Sequence, residues 1–515
     1  MNRFKYFIIS GTLLTVVTLS LRTIAVAFNV YLSNKIGAIA MGLFGLISTV
    51  YNFGITIATS GINLATTRLV SEELGKNDKK DISLNSVLKK SISYAIFFGV
   101  ISSLMIFFSA EYVGAKMLGD SRTVIPIKIS ALTLPFIAVS SALSGYFTAI
   151  RKVYKNAIVQ TLGQFTRIYL CTAFLAIFNS EKVENVCLAI VFGGALSEIS
   201  AFLLQFILYI FDRHNNENTS CETHERGKEI KKKLLSITLP VAFSSYVRSG
   251  LVTLEHLLIP WGLKKSGSTQ EKSLAAYGIV QSMVFPLILF PSAISSSFAG
   301  LLIPEMAQAN AESNTGRIKA IAQRVFKSIF IFSIGTSGLI ICFSYELGNT
   351  FYPNTSAPAY ILMLAPLIPV MYMDTSVDSM LKGLGKQTIT MIINVIDATL
   401  SVILVFLLLP RFGILGFIIT VYFTEIVNAT LSLTYLLKVC EIKIKVLSWI
   451  GKPLLCILAA TWLSRKLLGT LGLVATYRYE TLLHILLGAV TYVAFLFMTK
   501  ALKFNEIKSS LKNLM

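Results

Sequence analysis

Charged residues are scarce in this sequence: only 14% of its 515 residues are Asp, Glu, Lys or Arg, whereas 54% are hydrophobic. A soluble globular protein has about 25% charged residues. The sequence contains long stretches without any charged residue, such as 36–67 and 129–150. About 20 consecutive apolar residues are enough for a helix to cross a membrane. Together with a mean hydropathy of +0.70, this scarcity predicts an integral membrane protein.

The sequence also lacks the features of a metal site or a soluble catalytic module. Its six cysteines are scattered, and none belongs to a C-x-x-C or Cys/His pattern. The longest polar loop runs only from Asp212 to Lys233, which is too short for a folded domain. A membrane glycosyltransferase or polymerase would need acidic catalytic residues in sizeable loops. We therefore predict that the chain is not an enzyme and carries no cofactor.

Acidic residues are outnumbered by basic ones, 26 to 46, which gives a formal net charge of +20. In a soluble protein this excess would suggest nucleic acid as a partner. Here the basic residues lie in short loops between apolar stretches, where the positive-inside rule of membrane proteins explains them. We therefore predict no nucleic-acid partner.

Apolar stretches long enough to span a bilayer occur fourteen times. They are 6–32, 40–67, 91–114, 125–150, 156–178, 184–211, 235–261, 274–303, 323–345, 357–381, 387–409, 413–437, 446–464 and 480–499. If the N-terminus is cytoplasmic, the loops on that side hold about 30 basic residues and the other loops about 12, as the positive-inside rule requires. The sequence thus predicts a multi-pass protein of the cytoplasmic membrane with both termini in the cytoplasm.

The second half of the chain repeats segments of the first half. The segment ATSGINLATTRLVSEELGKN, which starts at Ala58, aligns with PSAISSSFAGLLIPEMAQAN, which starts 233 residues later at Pro291. The corner at 144–152 aligns with 378–386 at an offset of 234. Six spans per repeat is an even number, so both halves enter the membrane in the same orientation. This predicts a pseudo-two-fold axis along the membrane normal.

The predicted fold class is an all-α integral membrane protein of about fourteen transmembrane helices, in two pseudo-symmetric six-helix lobes plus a C-terminal helix pair. The N-lobe covers 1–212 and the C-lobe covers 234–440. A cytoplasmic linker, 213–233, joins them. The appended pair and a basic tail occupy 441–515.

Arginines lie inside three of the predicted spans, at Arg22, Arg167 and Arg248. An arginine at the bilayer centre costs about 2.5–3.5 kcal/mol, so these side chains should face the protein interior or a wet cavity. Arg22 and Arg248 occupy the first helix of each repeat, and the symmetry would place them facing each other across a cavity between the lobes. Because guanidinium binds phosphate in a bidentate manner, we predict that all three arginines bind an anionic substrate.

Acidic residues inside the spans offer another interpretation, in which the arginines pair with buried carboxylates and join helices. The candidate partners are Glu198, Glu255, Asp374, Asp378, Asp397 and Glu425. Glu198 and Glu425 correspond at an offset of 227 and are predicted to be structural. Glu255 lies two helical turns beyond Arg248, near the same face. Glu255 and Asp397 are candidate sites for a coupling ion, Na+ or H+; coupling to the membrane potential is also open.

Short motifs occur in a fixed order along nearly the whole chain. They are Gly42-Leu43-Phe44, Thr67-Arg68-Leu69-Val70-Ser71-Glu72, Gly145-Tyr146-Phe147 with Lys152, Gln164-Phe165-Thr166-Arg167-Ile168, Pro291 with Pro304-Glu305, and Lys382-Gly383-Leu384-Gly385-Lys386. Together with the fourteen predicted spans, these motifs make the chain resemble members of the multidrug/oligosaccharidyl-lipid/polysaccharide exporter superfamily. Within it the resemblance is to the polysaccharide-biosynthesis and stage V sporulation protein B group, which is related to the lipid II flippases. Gly163 and Thr148-Ala149 depart from the motifs of this group and leave the substrate open.

The resemblance implies an alternating-access flippase that moves an undecaprenyl-linked glycan, such as a peptidoglycan precursor for the spore cortex, across the cytoplasmic membrane. The implied partners are this lipid-linked anionic glycan and membrane lipids, and a monomer is expected. One alternative is a cation-coupled multidrug antiporter of the same superfamily; its members usually have twelve spans and an acidic cavity. A non-transporting scaffold in spore or envelope assembly is a second alternative.

Overall fold

A computed structural model describes residues 3–59, 61–74, 84–178, 182–214, 224–440, 446–470 and 478–502. These residues are almost entirely helical and contain no β-strand, which confirms the predicted all-α fold. Most of the predicted basic tail, 503–515, lies outside the described residues, as does the 215–223 part of the predicted linker. The rest of that linker is largely helical, because a helix starts at His224.

The α-helices of the described residues are labelled in chain order. They are α1 Arg3–Thr59, α2 Ile62–Leu74, α3 Leu84–Glu111, α4 Val124–Ala131, α5 Leu134–Ala149, α6 Val153–Ile177, α7 Val183–His214, α8 His224–Lys265, α9 Gln270–Tyr277, α10 Phe285–Leu289, α11 Ser292–Ala311, α12 Thr315–Cys342, α13 Ser344–Phe351, α14 Ala357–Leu364, α15 Ile368–Gly383, α16 Gln387–Phe412, α17 Ile414–Cys440, α18 Lys452–Thr470 and α19 Arg478–Met498. Short π-helical segments lie at Tyr112–Met117, Gly278–Val284 and Leu447–Gly451.

Among the described residues, ten helices are long and apolar enough to cross a membrane, or eleven if a bent pair counts as one span. Helix α1 has 57 residues and would be about 85 Å long if straight, far longer than the roughly 30 Å hydrocarbon core. It leaves helical geometry at Gly37, where φ is 78°, between the predicted spans 6–32 and 40–67. The number fourteen stays a prediction.

The helix boundaries reproduce the sequence repeat. Helices α5 and α15 begin 234 residues apart and also end 234 residues apart, and α6 and α16 begin at the same offset. The span that contains α5 is bent by 42° where α4 meets it. At the corresponding place in the second half, a 3₁₀ turn, Ala365–Leu367, separates α14 from α15. These shared boundaries and breaks agree with the sequence repeat, and the pseudo-two-fold axis stays a prediction.

The tight turn after α5 recurs after α15 with the same hydrogen bonds. In each turn, three backbone N–H groups donate to carbonyls of the last helical turn at 2.9–3.1 Å. The donor and acceptor pairs are Ile150–Tyr146, Arg151–Thr148 and Lys152–Phe147, and then Leu384–Met380, Gly385–Lys382 and Lys386–Leu381. The middle donor has a left-handed backbone in both turns, with φ of 61° at Arg151 and 73° at Gly385.

This turn predicts that Arg151→Gly stabilises the protein. A left-handed conformation costs an L-residue about 1–2 kcal/mol, and the greater freedom of glycine in the unfolded chain offsets part of the gain. We expect a net gain of about 1 kcal/mol, measured by thermal unfolding of the detergent-purified protein. Gly385→Ala is the matched control and should lose a similar amount of stability. A Cβ there would meet no atom within 4 Å, so this loss would come from the left-handed backbone. A loss of stability in Arg151→Gly would contradict the argument.

The helices pack into two compact units. One unit contains the residues up to Met41 and those from Gly262 onward, and the other contains Gly42–Trp261. The first predicted span therefore groups with the C-terminal half and the seventh with the N-terminal half. The repeat, in contrast, assigns them to the lobes 1–212 and 234–440, and these lobe boundaries stay a prediction from sequence.

The C-terminal pair, α18 and α19, is docked onto α12 through two glycines. A Cβ on Gly335 would lie 2.3 Å from the Tyr492 ring, and one on Gly338 would lie 2.4 Å from the side chain of Ile457. The Tyr492 hydroxyl also donates to the Ile331 carbonyl at 2.7 Å. The absence of a side chain at Gly335 and Gly338 thus makes room for this pair.

Gly335→Ala should consequently destabilise the protein. The added methyl group overlaps a buried aromatic ring, and overpacking of this kind costs about 1–3 kcal/mol. The measurement is thermal unfolding in detergent. Gly316→Ala on the same helix is the control, because its Cβ would make only an ordinary contact at 3.5 Å. Equal stability of the two variants would contradict the close packing.

Candidate functional site

Arg22 lies on α1 with an exposed side chain. Its Nη1 atom donates to the Ser296 hydroxyl on α11 at 3.4 Å, and that hydroxyl donates to the Ala293 carbonyl at 3.1 Å. No carboxylate among the described residues forms an ion pair with Arg22. Most of its donors are therefore available to an anion.

Arg248 lies on α8 and is also exposed. Within the described part of the chain it has neither a hydrogen bond nor an ion pair. Its neighbours fix the helix: the Tyr246 hydroxyl donates to the Ile57 carbonyl at 3.0 Å, and the Ser249 hydroxyl donates to Thr56 Oγ1 at 3.2 Å. Helix α8 is not among the described helices that are long and apolar enough to cross a membrane, so the intramembrane position of Arg248 stays a prediction from sequence.

Arg167 occupies a different setting, in a small cavity inside the unit formed by Gly42–Trp261. The cavity volume is about 50 Å³. Its lining residues are Phe44, Ile47, Ser48, Tyr51, Ser130, Arg167, Ile190, Val191, Gly194, Ala195 and Glu198. A volume of this size holds a few water molecules but no sugar. The substrate-binding role predicted for Arg167 rests on the sequence alone.

Glu198 lines the same cavity, so the structure brings Arg167 and Glu198 together. These two described residues nevertheless form no ion pair, because no nitrogen of Arg167 lies within 4.0 Å of an oxygen of Glu198. The Tyr51 and Thr133 hydroxyls share a hydrogen bond of 2.7 Å in the cavity wall. The motif around Arg167 is part of the family resemblance, whereas no sequence pattern singled out Tyr51 or Ser130.

The other predicted acids have partners of their own. Asn428 Nδ2 donates to Asp374 at 3.1 Å. Asp378 accepts from Asn394 at 3.4 Å and lies 3.7 Å from the Lys382 ammonium. Glu255, Asp397 and Glu425 are half-buried and interact with other groups. Their predicted coupling and structural roles remain predictions.

A buried ionic cluster at the end of α7 was not foreseen. Asp212 is only 3% exposed and accepts a hydrogen bond from the Lys155 ammonium at 3.0 Å. Lys152 also bonds to it, and the Tyr146 hydroxyl donates to its second oxygen at 3.4 Å. The cluster ties the α5–α6 corner to α7. In the sequence these charges look like ordinary loop residues, because nothing local shows that Asp212 and Lys155 meet.

A repeated set of apolar helices, ten of which among the described residues are long enough to cross a bilayer, defines a multi-pass membrane protein. The profile of the polysaccharide biosynthesis protein family matches residues 9–310, which is more than half of the chain, and the MatE profile matches residues 266–407. The chain belongs to the polysaccharide biosynthesis protein family.

Similar proteins from Bacillus subtilis (strain 168) include stage V sporulation protein B, 22% identical over 447 residues that cover 86% of each chain. Lipid II flippase MurJ of the same organism is 22% identical over 422 residues, which are 77% of this chain and 76% of the relative.

Solved structures with the same fold include lipid II flippase MurJ in its inward closed conformation, with a TM-score of 0.69 and 14% identity. That match covers 94% of this chain and 98% of the other. An inward-facing multidrug resistance MATE family transporter of the MOP superfamily has a TM-score of 0.62 and 14% identity, and covers 83% of this chain and 99% of the other. These likenesses confirm the predicted fold.

Proposed function

We propose that this transporter is an alternating-access flippase that moves an undecaprenyl-linked glycan across the cytoplasmic membrane, with both termini in the cytoplasm. A peptidoglycan or polysaccharide precursor is the proposed cargo. The similarity to a lipid II flippase supports a lipid-linked glycan, and the similarity to a stage V sporulation protein supports a precursor for the spore cortex.

The observation that carries this proposal is the pair of exposed arginines that no described carboxylate neutralises, Arg22 and Arg248. They occupy corresponding first helices of the sequence repeat. A lipid-linked glycan carries a phosphate or diphosphate, and the planar guanidinium group binds such oxygens through two parallel hydrogen bonds. Apolar helix surfaces suit the lipid tail, so only the polar head needs these cations. Glu255 and Asp397 remain proposed sites for a coupling Na+ or H+.

The experiment is a translocation assay in liposomes that contain the purified protein alone. A fluorescently labelled undecaprenyl-linked glycan is placed in both leaflets, and a membrane-impermeant quencher reports how fast the inner pool reaches the outer leaflet. We expect exchange well above that of protein-free liposomes and of liposomes with the heat-unfolded protein. Absence of exchange for every undecaprenyl-linked glycan offered, from a folded protein, would refute the proposal.

A cation-coupled multidrug antiporter is the second candidate, favoured by the MatE profile over residues 266–407. The same liposomes test it by release of a cationic dye under a Na+ or H+ gradient. Two exposed arginines would repel such a cargo, so we expect no release. Dye transport without glycan exchange would favour the antiporter instead.

A further inference from the structure

The cavity of Arg167 and Glu198 holds two opposite charges that the protein itself does not join. Among the described residues, Glu198 has no hydrogen bond or ion pair, and Arg167 interacts with the Cys171 thiol but not with the Glu198 carboxylate at ion-pair distance. Both line a space of about 50 Å³. Charged groups inside a membrane protein are costly unless their hydrogen-bonding capacity is met, so water within the cavity must complete the contact.

The cavity is built to hold that water. Gly194 lines it, and a Cβ on this residue would meet no atom within 4 Å, so the missing side chain leaves open space. At the adjacent Gly193, in contrast, a Cβ would lie only 2.9 Å from the backbone nitrogen of Cys171. Hydroxyl groups of Ser48, Tyr51 and Ser130 line the same space. At roughly one probe sphere per molecule, the cavity has room for about three to four waters.

We propose that Glu198 is a proton-binding site served by the water of this cavity, and that Arg167 is the positioning residue that keeps the carboxylate ionised before the proton arrives. The Glu198 carboxylate takes one proton from hydronium, which leaves a carboxylic acid and a water molecule. Proton binding at this site is independent of the cargo; only its use in transport rests on the proposed function.

The groups around Glu198 make this step consequential. Helix α6 contributes Arg167, and its Cys171 thiol is already engaged with the Ile190 carbonyl at 3.5 Å. Helix α1 contributes the Tyr51 hydroxyl, which bonds Thr133, and α4 contributes only Ser130. No residue of α5 lines the cavity. Before protonation the charges of Arg167 and Glu198 cancel, and afterwards one uncompensated positive charge remains inside the unit. Such a charge favours a rearrangement that exposes it to water.

Infrared difference spectroscopy of the purified, unmodified full-length protein tests the proposal without any cargo. Lowering the pH protonates the accessible carboxylates of the protein, and among their carbonyl bands one should belong to Glu198, identified by subtracting the same difference spectrum of Glu198→Gln. Glu198→Gln preserves the side-chain volume and should abolish that band, whereas Glu425→Gln, at the corresponding position of the second repeat, should retain it. The same carbonyl bands in Glu198→Gln as in the unmodified protein, across the pH range where the protein stays folded, would overturn the proposal.

Two further variants test the roles of arginine and water. In Arg167→Gln the carbonyl band should appear at a pH about one unit or more higher, because the neighbouring cation that favours the carboxylate is gone. Gly194→Leu should fill the cavity and abolish or strongly reduce the band, while thermal unfolding checks that the protein is folded. An unchanged band in a folded Gly194→Leu would refute the water-filled site. Since these readouts need no transport, failure of the flippase assay is distinguishable from failure of this proposal.

Discussion

Replacement of Arg22 or Arg248 by alanine should reduce translocation of a lipid-linked glycan by roughly ten- to a hundredfold for each residue. A hydrogen bond to a charged group contributes about 1.5–3 kcal/mol, and every 1.4 kcal/mol is a factor of about ten. Both side chains are exposed, and Arg22 bonds only Ser296 among the described residues. Their loss should therefore leave stability almost unchanged. The measurement is the quencher assay in liposomes that contain equal amounts of each variant.

Lysine at either position keeps the charge but not the bidentate geometry, so it should restore only part of the activity. Arg411→Ala is the matched control, because Arg411 is an exposed arginine at the end of α16 with no assigned role. It should translocate as well as the unmodified protein. Full activity of the folded double variant lacking both Arg22 and Arg248 would rule out diphosphate binding by this pair.

Asp212→Ala should destabilise the N-terminal half by about 3–5 kcal/mol, the usual cost of removing one partner from a buried ion pair. The carboxylate is 3% exposed, and its removal leaves the nearly buried Lys155 ammonium without its anion. Tyr146 and Lys152 lose the same partner. Because these groups join α5, α6 and α7, we expect early unfolding of this unit on heating.

The reactivity of the buried thiols of Cys171 and Cys187 during heating reports that unfolding directly. Glu72→Ala is the matched control, because its pair with Arg68 is largely exposed, with side-chain exposures of 47% and 64%. An exposed pair contributes only about 0–1 kcal/mol, so the control should unfold near the unmodified protein. If both variants unfolded at the same temperature, the buried cluster would have no special stabilising role.

The repeat shows how far sequence reasoning reached. The match between the corners at 144–152 and 378–386 was loose in residue type, yet the structure gives both turns the same hydrogen bonds and the same left-handed middle residue. Backbone geometry is shared there although Arg151 and Gly385 differ in chemistry. The sequence did not foresee that the contact-based units would divide the chain at Met41 and Gly262, because helix packing decides that division.

By itself, the sequence determined the membrane class, the all-α architecture and the two-fold repeat, because hydropathy and periodicity are local properties of the chain. It also predicted three arginines inside spans, of which only Arg22 lies in a described helix that is long and apolar enough to cross a membrane. Only the tertiary structure decided their surroundings: Arg167 shares a small cavity with Glu198, whereas Arg22 and Arg248 are exposed and form no ion pair with any described residue. It also decided that Asp212 is buried between two lysines and that α18 and α19 dock on the glycines of α12. Those contacts join residues far apart in the chain, so they depend on how the helices pack.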